Sequence, residues 1–131
     1  MPDIETLVRN YLALGTTDFA AFLDLMHDEI VLEFPYGASA GLKPQLRGRE
    51  EAREALGGFL ASVPTLRFLD VEVHGCSDSD EAFATYRARA TVPTTGKQYA
   101  QDYVAQFKQR DGKVIYFREW FDPVRLLNAF R

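Results

Sequence analysis

A chain of 131 residues that is 47% hydrophobic and 13% aromatic can bury one core and is too short for two, so one compact domain over 1–131 is expected. Its net charge of −4, with no run of Lys or Arg, argues against a nucleic-acid partner, because phosphates need a clustered basic surface. The start MPDIETLVRNYLALG lacks the basic opening and unbroken apolar run of a signal peptide, and no apolar stretch nears the roughly 20 residues of a membrane span, which leaves a cytoplasmic protein away from membranes as the expectation.

Asp3 caps a first helix in which Ile4, Leu7, Val8, Tyr11 and Leu12 recur at helical spacing, and Gly15 ends it. Phe19, Phe22, Leu23 and Met26 repeat that spacing after Thr16-Thr17-Asp18, predicting a short second helix that stops near His27-Asp28. The strand IVLEFPYG follows, closed by Pro35 and Gly37, and ASAGLKPQLRG reads as a polar loop. Gly48 introduces a third helix, REEAREALGGFLASV, with Ala52, Leu56, Phe59, Leu60 and Val63 on its apolar side and Pro64 after it.

From there the period changes from 3.6 to 2. In LRFLDVEVHG, Leu69, Val71 and Val73 alternate with Asp70, Glu72 and His74. In AFATYRARATV, Ala82, Ala84, Tyr86, Ala88, Ala90 and Val92 share one face. PTTGKQ turns the chain into YAQDYVAQFK, and Asp111-Gly112 gives a hairpin into KVIYFREWFDP. Helices first and an antiparallel meander afterwards imply an α+β fold with helices on one face of a curved sheet. The alanine-rich face is small for a strand that must pack against helices. Either a ligand occupies that space, or large side chains such as Phe22, Phe34, Phe59 and Phe117 fill it from across the layer.

The closing strand carries the sharpest chemical signal. Alternation places Glu119 on the same face as Ile115, Phe117 and Phe121. A carboxylate in an apolar pocket has its pKa raised by desolvation, which suits it to exchange a proton near neutrality. The other reading is a structural ion pair with Arg87, Arg89 or Arg118. Asp102 has the opposite parity to Tyr103, Ala105 and Phe107 and is expected outside, beside Arg87 or Arg89. Trp120, with Val114, Tyr116 and Arg118, forms the other face of the last strand, an apolar surface suited to a dimer contact. His27 and His74 are expected to face solvent. No two His, Asp or Glu residues show metal-ligand spacing on one element, the lone Cys76 lies beside no Cys/His cluster, and nucleotide-binding fingerprints are absent, so neither a metal nor another cofactor is expected.

Three helices separated by IVLEFPYG, the LRGREEAREAL junction, LRFLDVEVHG and the closing FREWFDPVRLL together resemble the SnoaL-like branch of the nuclear transport factor 2 superfamily over nearly the whole chain. The resemblance implies a cone-shaped α+β barrel, three helices packed on a curved, mostly antiparallel sheet enclosing a pocket, and a homodimer formed through the outer sheet face by Trp120, Tyr116 and Arg118. Against ketosteroid isomerase, a member of this superfamily, Tyr11 matches an oxyanion-hole tyrosine. The residue before Pro35 is Phe34 where the isomerase has its aspartate base, and Tyr103 or, with a one-residue slip, Asp102 matches its second oxyanion donor. FREWFDP resembles the closing run of the phenazine-biosynthesis A/B proteins, whose glutamate maps onto Glu119; their pocket histidine has no counterpart.

The resulting expectation is a cofactor-independent isomerase or cyclase acting on a hydrophobic or aromatic metabolite. Glu119, Tyr11 and Tyr103 carry its chemistry. Phe22, Met26, Phe34, Leu56 and Phe59 line the pocket from the helices and first strand, and Tyr86, Ala88, Phe117 and Phe121 line it from the sheet. The alternatives are a non-catalytic small-ligand-binding protein and a homodimeric interaction protein whose cone is filled by side chains.

Overall fold

The computed structural model describes residues 3–131. The Asp3 carboxylate accepts a hydrogen bond from the Thr6 N–H at 2.8 Å and starts α1, Ile4–Gly15, whose stripe of Ile4, Leu7, Val8, Tyr11 and Leu12 is buried. Asp18 caps α2, Phe19–Asp24, in the same way through the Ala21 N–H. This helix is shorter than its apolar spacing predicts. Met26 already opens β1, Met26–Glu33, and pairs with Val114. Both a helix and a buried strand can use the same run of apolar residues, and the pairing decides between them.

The loop predicted after β1 contains a 3-10 turn at Ala38–Ala40 and a short strand β2, Gln45–Arg47, antiparallel to β1. Then follow α3, Gly48–Ser62, β3, Arg67–Gly75, β4, Glu81–Thr91, β5, Gln98–Arg110, and β6, Lys113–Trp120. A fourth helix, α4, Pro123–Phe130, corrects the expectation of three. Asp122 accepts from the Val124 and Arg125 N–H groups and Pro123 sits in the first turn. Asp-Pro therefore ends the strand and begins a helix at once.

The strands form one sheet in the order β2-β1-β6-β5-β4-β3. Neighbours are antiparallel except β1 and β6, which run parallel and bring the first strand beside the last. The fold is α+β as expected, yet the sheet keeps two edges, β2 and β3, so the expected barrel is not closed. Two bulges set which side chains face the helices. Asp70, at φ 55°, breaks the β3–β4 register, so Phe68 pairs with Ala88 on the inner face and Leu69 pairs with Arg87 on the outer one. Simple alternation placed Leu69 with Val71 and Val73. In β6, Ile115 is the extra residue between the Gln109–Val114 and Lys108–Tyr116 pairs. Val114 is consequently fully buried and does not belong to the outer face with Tyr116, Arg118 and Trp120.

The alanines of β4 are covered by protein. Ala82, Ala84, Ala88 and Ala90 are at most 4% exposed, and α1 packs across β3 and β4. Small side chains allow that close approach. Fully buried Leu7, Val8, Ile30 and Leu32 anchor the layer between helices and sheet, each contributing about 1.5–3 kcal/mol by burial.

Candidate functional site

The inner face of β6 carries Phe117 and Glu119 opposite Phe107 and Ala105 of β5. Because Ala105 is small, the glutamate can reach across β5 to β4, where the Tyr86 hydroxyl donates a hydrogen bond to its Oε2. Desolvation raises the Glu119 carboxyl from 4.5 to about 7, with the Tyr86 hydrogen bond pulling the other way. The ion-pair reading fails on geometry. Arg87 pairs with Asp102 at 3.2 Å, Arg118 with Glu33 at 3.1 Å, and Arg89 donates to the Ala88 carbonyl at 2.8 Å. Asp102 lies outside, held also by Arg125 at 2.8 Å, which leaves Tyr103 as the inward residue of that stretch.

Two cavities meet at Glu119. The outer one, of about 160 Å³, is bordered by Leu42, Lys43, Leu46, Ala55, Tyr99, Phe121 and Leu126. The inner one, of about 80 Å³, is bordered by Tyr11, Leu12, Phe22, Leu60, Leu66, Phe68 and Phe117. Phe34, Leu56, Phe59, Tyr103 and Glu119 line both. Glu119 is half-buried because its side chain borders this space.

Tyr11 reaches the inner cavity from α1. Its ring packs against Phe22 at 4.5 Å and Phe117 at 5.4 Å, and its buried hydroxyl has no hydrogen-bond partner. Burial first, and the Glu119 charge second, raise its pKa well above 10.0, so the hydroxyl stays a protonated donor. An orphaned buried hydroxyl costs on the order of 1–3 kcal/mol, which marks the position as one where stability is given up. Tyr103 stacks on Tyr86, with centroids 5.1 Å apart and planes at 23°, and its hydroxyl lies 2.7 Å from that of Tyr99. Tyr99 is raised to about 12, mainly by burial. Beside it, Gln101 is fully buried and, tyrosines aside, is the one buried polar residue among the described residues.

The residues expected from sequence do not all arrive. Tyr11, Tyr103 and Glu119 share the inner cavity, and Phe22, Phe34, Leu56, Phe59, Phe117 and Phe121 line one or both cavities. Met26 and Ala88 do not: Met26 is fully buried at the β1–β6 pairing, and Ala88 lies in the sheet paired with Phe68 and Gln101. Tyr86 borders neither cavity but contacts Glu119 directly. Sequence reasoning missed Tyr99, although it shares parity with Tyr103. Leu46 and Leu126 were hidden on β2 and α4, and Phe68 behind the Asp70 bulge. His74 is exposed, and His27 lies 3.8 Å from the exposed Asp111 on the rim of the sheet. Neither approaches the cavities.

A SnoaL-like domain model matches residues 7–117. The chain is 34% identical over 125 residues to an uncharacterised PhzA/B-like protein of Pseudomonas aeruginosa, covering 95% of this chain and 87% of that one. Its backbone superposes with a TM-score of 0.89 on a Bacillus subtilis protein provisionally assigned as an isomerase, at 24% identity over 99% of this chain and 96% of that one. A protein of Xanthomonas campestris pv. campestris provisionally assigned as a polyketide cyclase superposes with a TM-score of 0.84, at 18% identity over 97% and 96% of the two chains. With a family model spanning most of its length and a relative at 34% identity, the chain belongs to the SnoaL-like family, and it shares the fold of these two solved structures.

Proposed function

We propose that this chain is a cofactor-independent acid/base enzyme that isomerises or cyclises a hydrophobic, oxygen-bearing metabolite held in the two cavities. One observation carries the reading: a desolvated carboxyl with a pKa of about 7 and an unpartnered Tyr11 hydroxyl face the same apolar space. At neutral pH about half of the Glu119 side chains are ionised, so the group can both take and return a proton. In the forward step the Glu119 carboxylate removes a proton from a carbon next to a carbonyl, the C–H electron pair moves to form an enolate, and the Tyr11 O–H donates to the enolate oxygen. Donors preorganised in a dry site stabilise such developing charge. Returning the proton to a different atom isomerises the substrate. Attack of the enolate carbon on a second carbonyl of the same molecule closes a ring, and Glu119 then protonates the new alkoxide.

Ring-rich walls from Phe34, Phe59, Phe117 and Phe121 favour a flat, apolar substrate. The outer sheet face supports a homodimer as part of this proposal. Tyr116, Arg118 and Trp120 are half-buried there, with the Arg118 guanidinium 5.7 Å from the Trp120 ring, and Val104 beside them is 43% exposed.

The test is α-proton exchange of 2-tetralone into D2O, followed by NMR. The expected result is saturable acceleration by the wild-type chain and a loss of about 10²-fold or more in Glu119→Gln. Saturable binding of 2-tetralone and of cyclic 1,3-diketones without any faster exchange would replace this reading with that of a binding protein.

A further inference from the structure

Hydrogen-bond accounting around Gln101 gives the outer cavity a polarity. The Asp122 backbone N–H can only donate, and it points at Gln101 Oε1 at 3.0 Å; the Asp122 carbonyl can only accept, and it faces Gln101 Nε2 at 2.9 Å. These two contacts fix which way the amide lies, and the Asp102 N–H, 3.2 Å from Oε1, agrees. The remaining Nε2 proton then donates to the Tyr99 hydroxyl at 3.3 Å. Either hydroxyl can be the donor across the 2.7 Å between Tyr99 and Tyr103; the Gln101 contact occupies one acceptor site of the Tyr99 oxygen and so favours Tyr99 donating to Tyr103. In that arrangement Tyr103 accepts, and its own proton has no acceptor among the described residues.

We propose that Gln101 is a positioning residue: it directs the Tyr99–Tyr103 pair so that Tyr103 presents a free O–H to the cavity, which selects ligands with an oxygen acceptor beside Glu119. It rests on the reading that a ligand occupies this space, and it adds to it a second donor, on β5 where Tyr11 is on α1. The ligand class that satisfies both is one with two acceptor oxygens, such as a dicarbonyl or a quinone, presented to two donors with the carboxyl in the same space. A ligand with one oxygen leaves one buried donor unpaired, which is penalised more than the missing bond itself.

The experiment compares Kd for 2-acetylnaphthalene and for 2-isopropenylnaphthalene, which replaces C=O with C=CH2 at nearly constant shape. At pH 9, where Glu119 is ionised, a Tyr11→Phe background leaves Tyr103 as the sole free donor. The expected ketone preference is about tenfold, the size of one hydrogen bond in a buried site. Adding Tyr103→Phe removes the preference while retaining affinity for the hydrocarbon. Adding Tyr99→Phe retains it, because Tyr103 still has a proton to give. Adding Gln101→Met lowers it to about threefold or less, since Tyr99 is then free to accept from Tyr103. Damage to the fold would weaken both ligands together, so the ratio separates orientation from structure. If Tyr103→Phe keeps the preference, Tyr99 carries the free proton, the direction is reversed and the proposal is overturned. A ratio unmoved by Gln101→Met also overturns it. None of these outcomes depends on turnover, so they leave the test of Glu119 chemistry independent.

Discussion

Glu119→Gln should stabilise the folded chain, and by an amount that grows with pH. The folded carboxyl holds its proton up to about 7, whereas the unfolded one releases it near 4.5. Between those values the folded state binds more protons than the unfolded state, so the stability owed to this group is present at low pH and lost as pH rises through the window. At roughly 1.4 kcal/mol per pH unit, the wild-type chain should lose about 2 to 3 kcal/mol from this one residue between pH 5 and pH 8. Glutamine has nearly the same volume, keeps an acceptor for the Tyr86 hydroxyl and does not titrate. The measurement is urea unfolding of both chains at pH 5, 6, 7 and 8, followed by circular dichroism and by the emission of the single Trp120. The gap between the curves should be small at pH 5 and widen to about 2 to 3 kcal/mol at pH 8, while 2-tetralone exchange disappears. A gap that is the same at every pH would show a solvated Glu119 and would refute the site.

Tyr11→Phe should raise stability by about 1 kcal/mol, because it deletes an orphaned hydroxyl, and should slow 2-tetralone exchange at saturation; a destabilised variant with full activity would contradict the open donor. Tyr86→Phe removes the hydrogen bond that favours ionised Glu119, so the acid limb of the exchange-rate profile should move to higher pH, read from rates between pH 5 and 9. Movement to lower pH would mean that burial does not dominate that carboxyl. Trp120→Glu places a charge on the outer sheet face and should sediment as a monomer at concentrations where the wild-type chain sediments as a dimer. A wild-type monomer at 100-fold higher concentration would remove the dimer from the proposal.

The inward direction of Glu119 was legible in the sequence because its neighbours Phe117 and Phe121 share its parity and β6 stays regular from Tyr116 to Trp120. The same periodicity failed wherever one extra residue entered a strand. Asp70 and Ile115 each shift the alternation by one, which returned Phe68 to the cavity wall and took Val114 off the outer face. Period and cap residues alone determined the order of the first three helices and of β1 and β3 to β6, the α+β class, the buried stripe with Tyr11 and the outward face of Asp102, since each depends on neighbours within a turn or a strand; β2 and α4 were not found that way. Tertiary structure decided the rest: the parallel β1–β6 pairing, the reach of Glu119 over Ala105 to Tyr86, and the Gln101–Tyr99–Tyr103 chain. The first two join residues on different strands; in the third all three residues lie on β5, and the Asp122 backbone beyond β6 orients the Gln101 amide, while desolvation arises only where distant segments close around the same space.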